Sequence, residues 1–244
     1  MSTLEARTIE PQSGTTVTLG ASGASVVIGA DALKTNTVKD AGGNTIFTSD
    51  GAGTLSNVNS GLAGNMVFIN SAPASGDTSL SFTSGIDSTY DEYVFYFVGI
   101  HPATDATTFE FNASDDTSSW SYDVVKTTTV FDTWHTEDGS SYYFNYNTTP
   151  DIAQGTGYQT LADVLGNDAN QCAAGELHLF NPSSTTYVKH FYATIPYSAF
   201  VGSNYFQENF IAGYFNTTSA ITAIDFKMSS GNIDAGTIYL YGMK

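Results

Sequence analysis

Beyond residue 65 apolar and polar residues alternate with a period of two. Leu80 and Phe82 are interleaved with Ser79, Ser81 and Thr83, and Phe109 and Phe111 with Thr108, Glu110 and Asn112. This pattern sends one set of side chains to a core and the other to water, which predicts half-buried β-strands. The run Tyr93-Val94-Phe95-Tyr96-Phe97-Val98 is apolar on both faces and predicts a central strand covered on both sides. Further strands are predicted over 66–69, 121–130, 142–146, 176–180, 188–195, 210–215, 221–228 and 237–241, with turn residues between them. About ten strands of this kind suit a jelly-roll-like β-sandwich. Only 158–165 reads as a helix, and a short one.

The first 64 residues follow a different pattern. Very short β-branched segments are punctuated by glycine: Val17-Thr-Leu-Gly20 is echoed by Val26-Val-Ile-Gly29, and Asp40-Ala-Gly-Gly43 by Asp50-Gly-Ala-Gly53, each of the latter pair followed by a short apolar segment. Periodic short strands between glycine turns are how β-prism and triple β-helix shafts read, whereas a flexible low-complexity linker would need no β-branched residues between its turns. Phe47 is the only aromatic residue in this stretch, so it lacks large side chains with which to close a core of its own. Identical chains wound on a common axis pool small apolar residues that none buries alone. The expected organisation is all-β: an oligomeric, trimeric β-stalk over residues 1–65 and a sandwich head over 66–244.

Charge narrows the functions. The 24 acidic residues outweigh 7 basic ones, for a formal charge of -17, which excludes nucleic-acid binding as an expectation because phosphates are neutralised by Lys and Arg. The acidity gathers in the head, where only Lys126, Lys189, Lys227 and Lys244 oppose it. A single cysteine, Cys172, permits no intrachain disulfide and reads as a small, partly buried thiol. No secretory leader or membrane-length apolar run is present, so synthesis in the cytoplasm without membrane insertion is expected. The three glycosylation sequons at Asn112, Asn147 and Asn216 then read as chance products of an Asn- and Thr-rich chain.

No enzyme motif is found. His101, His135, His178 and His190 are dispersed, and there is no nucleophile elbow, zinc-protease helix or phosphate loop. His178 is expected to share a strand face with Glu176 and Phe180. The carboxylate groups Asp87, Asp91, Glu92 and Asp115, Asp116 match no calcium loop and read as solvated loops, so no metal or cofactor is expected. Trp120, Trp134, Tyr142 and Tyr143 stand beside serine, threonine and histidine in segments that read as polar loops. Aromatic faces next to hydrogen-bonding groups suit sugar rings, and as a group these four are the candidate glycan site, although an aromatic sandwich also needs such residues in its core.

The run from Thr217 to Gly242, in which Ile224, Phe226 and Met228 point inward, Ser-Ser-Gly-Asn-Ile-Asp-Ala-Gly connects, and Ile238 and Leu240 return to the core, resembles the terminal segment of virion appendage proteins of tailed, marine bacteriophages. The segments 39–55 and 97–105 resemble shaft segments of the same class. That resemblance implies a non-enzymatic virion protein: a homotrimeric fibre or spike anchored to other virion proteins through residues 1–65, made in the host cytoplasm, with an outward head for attachment to a host-surface glycan. The alternatives are a capsid decoration protein that clamps neighbouring capsomers and, third, a glycan-cleaving enzyme with two carboxylates.

Overall fold

The computed structural model describes residues 36–52, 54–59, 65–200 and 204–243, and among them every regular element is a β-strand. The chain divides into two compact units, 1–62 and 63–244. The echo at 17–29 lies outside the described residues. The second echo is visible as a three-stranded antiparallel meander of β1 (Thr37–Lys39), β2 (Thr45–Ser49) and β3 (Leu55–Ser56). Its two turns use the same device. Asp40 Oδ1 accepts the Asn44 N–H at 2.8 Å, and Asp50 Oδ1 accepts the N–H groups of Ala52 at 2.7 Å and Thr54 at 3.0 Å. Both carboxylates are held below the ordinary range by these bonds, with the Asn44 side chain foremost at Asp40 and the Ala52 N–H foremost at Asp50. None of the described residues of this unit is buried.

The second unit is a twelve-stranded antiparallel sheet folded over on itself. Its strands are β4 (Met66–Pro73), β5 (Ser79–Phe82), β6 (Glu92–Pro102), β7 (Thr107–Ser114), β8 (Lys126–Thr136), β9 (Tyr142–Tyr146), β10 (Gln159–Leu165), β11 (Ala173–Phe180), β12 (Lys189–Phe200), β13 (Asn204–Phe215), β14 (Ala223–Met228) and β15 (Ile233–Met243). Eight form a large layer in the order β4-β15-β6-β11-β12-β13-β8-β9. Four form a small layer, β5-β14-β7-β10. The layers are continuous through one pair, Leu165 with Ala199, where the end of β12 leaves β11 and meets β10.

The core is aromatic. Phe226 of β14 meets Phe82, Phe109 and Phe111 of its own layer and Phe95 and Phe97 of the opposite layer, with ring centroids 5.2–6.2 Å apart. Phe111 reaches Phe191 and Phe215 in the same way. Edge-to-face and offset-stacked rings at this spacing add to the large area each buries. The inward alternation predicted for Ile224, Phe226, Met228, Ile238 and Leu240 is present, all five being buried. Their strands lie in different layers, so the 229–232 connection crosses the sandwich edge instead of closing a hairpin.

Three expectations are corrected. Residues 159–165 form strand β10, not a helix: bulges between Thr160 and Ala162 and between Ala162 and Leu165, with Val164 at φ 46°, shift its inward positions. β6 is interior to its layer, but its second face is covered only in part: Val94 is 1% exposed there, whereas Val98 is 55% exposed. Cys172 is exposed because it precedes β11 in the loop after Asn167 instead of standing in a strand. Of the sequons, Asn112 is fully buried and donates to the Tyr122 and Thr156 carbonyls.

Two of the second unit's four lysines are inside. Lys126 and Lys189 stand on either side of Phe215 in the ladder and are fully buried. Lys126 Nζ donates to the Gly157 carbonyl at 2.5 Å, and Lys189 Nζ to the Thr217 and Ser219 carbonyls at 3.0 and 2.5 Å. Each ammonium closes a loop over one end of the sandwich and offsets part of its desolvation with carbonyl dipoles.

Candidate binding face of the large layer

Strand alternation divides the large layer cleanly. Phe191, Ala193 and Ile195 of β12 and Ile211 and Phe215 of β13 face the core. The alternate residues face away: Tyr96 of β6, Glu176, His178 and Phe180 of β11, His190, Tyr192 and Thr194 of β12, Phe206, Glu208 and Phe210 of β13, and Phe131 of β8. No other part of this unit's described sheet covers that face. A monomer seldom leaves so continuous an aromatic surface in water without a use for it.

The face is shaped. Four adjoining depressions share lining residues in sequence. The first, 550 Å³ at the 181–188 loop, shares Phe180 and His190 with a second of 440 Å³. The second shares Tyr192, Thr129 and Ala212 with a third of 200 Å³, which shares Thr194 with a fourth of 360 Å³. They make one shallow trough along β12 from His190 to Pro196, about 20 Å at the rise of an extended strand.

Two glycines let the sheet pack this closely beneath the trough. A Cβ on Gly213 would lie 2.6 Å from the Thr127 carbonyl oxygen and 2.9 Å from Phe191 Cζ. A Cβ on Gly175, at φ 131°, would lie 2.2 Å from the Thr194 oxygen.

At the trough's centre Tyr192 lies flat against His178, with centroids 4.5 Å apart and planes 11° from parallel. His178 Nδ1 is 2.5 Å from Glu92 Oε1. Its Nε2 is 3.4 Å from Glu176 Oε1, outside hydrogen-bond geometry, and is buried without a bonding partner. Burial raises the hydroxyl pKa of Tyr96 and of Tyr192, and the Glu176 charge pushes both further in the same direction. Across the ladder from Tyr192 stands Ala212, and across from Ala212 stands Thr129. These small residues leave a slot, closed on its far side by Phe210 and Phe131 stacked at 4.8 Å and 10°. The fourth depression is lined by Tyr96, Glu176, Thr194, Pro196 and Glu208.

The sequence-chosen aromatics lie elsewhere. Trp134 and Tyr143 come together on one face of the β8–β9 hairpin, where they pair across the ladder and Trp134 packs its ring on Tyr143 and Tyr205, whereas Tyr142 pairs with His135 and points to the opposite face. The placement of Trp134 in a loop is corrected, since β8 runs on to Thr136. Tyr142 and Phe144 are 79% and 72% exposed on β9, the outer strand of the layer. Trp120 is 38% exposed in the β7–β8 connection, away from any described strand. Sequence reasoning missed Tyr96, Tyr192, Phe206 and Phe210 because it searched polar loops. The face shared by Glu176, His178 and Phe180 is as expected from alternation.

Among the described residues three carboxyls are raised by burial: Asp132, on the inward face of β8 and bonded by the Asn147 amide at 2.7 Å, and two on the small layer. Asp225 is buried and accepts the Ser81 hydroxyl at 2.5 Å and the Tyr158 hydroxyl at 2.9 Å. Glu110 is 3.5 Å from Lys227 Nζ, which sits over the Tyr158 ring. Burial raises both carboxyls, and their partners are other side chains of the same layer. Among the described residues no cluster of three or more potential ligands is arranged to hold a metal ion, and no helix is long and apolar enough to cross a membrane.

Comparison with known proteins returns no match to the chain among family models, curated proteins or solved structures.

Proposed function

We propose that this is a non-enzymatic bacteriophage virion protein, a trimeric fibre or spike whose N-terminal segment anchors to the particle and whose jelly-roll-like head attaches to a host-surface glycan. The observation that carries this reading is the aromatic trough: ring faces beside carboxylates and hydroxyls, on an open sheet face, are what a chain of sugar rings needs. The absence of buried residues among the described part of 1–62 supports an N-terminal segment that gains its core from copies of itself or from virion partners. Three heads on one stalk then add weak contacts through effective concentration, with no new affinity in any one head.

The β9 edge favours a second reading, capsid decoration. An edge strand paired on one side only, bearing Tyr142, Tyr143, Phe144 and Tyr146 without a charged residue, offers a neighbouring protein a template for strand addition. Gold-labelled antibodies against the head, applied to purified particles, separate the two: label at fibre or spike tips supports attachment, label spread over the capsid supports decoration, and no label on particles removes both.

A further inference from the structure

The trough's charge narrows the ligand. Outward positions of the large layer carry Glu92, Glu176 and Glu208 and no lysine or arginine, because Lys126 and Lys189 point inward and Lys227 belongs to the small layer. A polysaccharide bearing sulfate, phosphate or uronate groups would meet three carboxylates with no cation to balance them, on a chain already at -17. Hydroxyl pairs, in contrast, donate well to carboxylate oxygens, and charge-assisted bonds of that kind are the strong ones. One face of Tyr192 is taken by His178. The ladder places its other side over Ala212 and Thr129, where a flat apolar ring face fits between Tyr192 and the Phe210–Phe131 stack.

Resting on the glycan-attachment reading, we infer that the trough along β12 binds an uncharged polysaccharide, with a sugar ring stacked on Tyr192 in the Ala212–Thr129 slot and neighbouring hydroxyls held by Glu176 and Glu208.

Affinity electrophoresis of the full chain through gels containing laminarin, galactomannan or dextran, and in parallel alginate or dextran sulfate, tests this at low ionic strength. The expected result is retardation by at least one neutral polymer and by neither acidic one. Ala212→Phe fills the slot from an exposed position and Tyr192→Ala removes the platform. Each should weaken retardation about tenfold or more, and Ala212→Phe should keep the parental melting temperature. Retardation by the acidic polymers, or full retardation of Ala212→Phe, overturns the inference. If no neutral polymer retards a chain that still binds cells, the inference fails and attachment stands. If a neutral polymer retards the chain and antibodies find none of it on virions, the ligand assignment stands and the virion reading fails.

Discussion

Tyr192 rests on His178 at 4.5 Å with the two rings nearly parallel, so the platform's position is set from β11 and not by β12 alone. His178 is in turn held by Glu92 through Nδ1. Replacing His178 with Ala removes a ring pair and a partly exposed charge-assisted bond, together worth about 1–2 kcal/mol. His178→Phe restores the ring and not the bond. Thermal unfolding should place His178→Phe between the parent and His178→Ala, whereas equal losses for both would show that stacking contributes nothing.

Phe226 joins the two layers through five phenylalanine rings. Phe226→Ala should therefore cost about 3–5 kcal/mol by denaturant unfolding, since a rigid aromatic core relaxes poorly around a void. A loss below 1 kcal/mol would mean that the layers do not meet at this residue.

The alternation along β6, β7, β11 and β14 was legible because large inward residues recur at every second position, as in Phe95 and Phe97, Phe109 and Phe111, Leu177 and Leu179, and Phe226 and Met228. β10 was not. Tyr158, Leu161, Ala162 and Leu165 fall at the spacing of a helix face, and the physical reason is bulging: two register shifts in seven residues place Leu161 and Ala162 inward in succession. The binding face was hidden for a related reason. Tyr93–Val98 signals two apolar faces, and sequence cannot tell whether the second is covered by the same chain or kept for another molecule. Tyr192, Phe206 and Phe210 read as core by composition. Only the layer order shows them facing outward.

The buried lysines make stability depend on pH in a defined window. Burial pulls the Lys126 pKa from 10.5 down to about 8, against the opposing charge of Asp123, and lowers Lys189 for the same first reason. Between pH 8 and the unfolded value of 10.5, the unfolded state binds more protons than the folded one, so this contribution rises with pH. Tyr158, Tyr197 and Tyr205 act in the opposite sense. Burial, then nearby carboxylates, raises their hydroxyls above 10, so stability falls as pH climbs beyond that point. The melting temperature should rise from pH 8 to about 10 and then decline. Lys126→Met should flatten the rise, and an unchanged slope would contradict a buried ammonium.

Tyr142 is almost free of contacts on its outer strand, whereas Trp134 packs on Tyr143 and Tyr205. Tyr142→Ala should leave the melting temperature within the range of ordinary surface changes, about 0.5 kcal/mol, and Trp134→Ala should lower it clearly. If both are silent in unfolding and both weaken cell binding, the hairpin joins the binding surface.

Attachment through the β12 trough is tested most directly by competition. Purified chain in excess should slow adsorption of the parent particle to its host, and Ala212→Phe of unchanged melting temperature should not. Equal inhibition by both proteins, or by neither, would contradict the account.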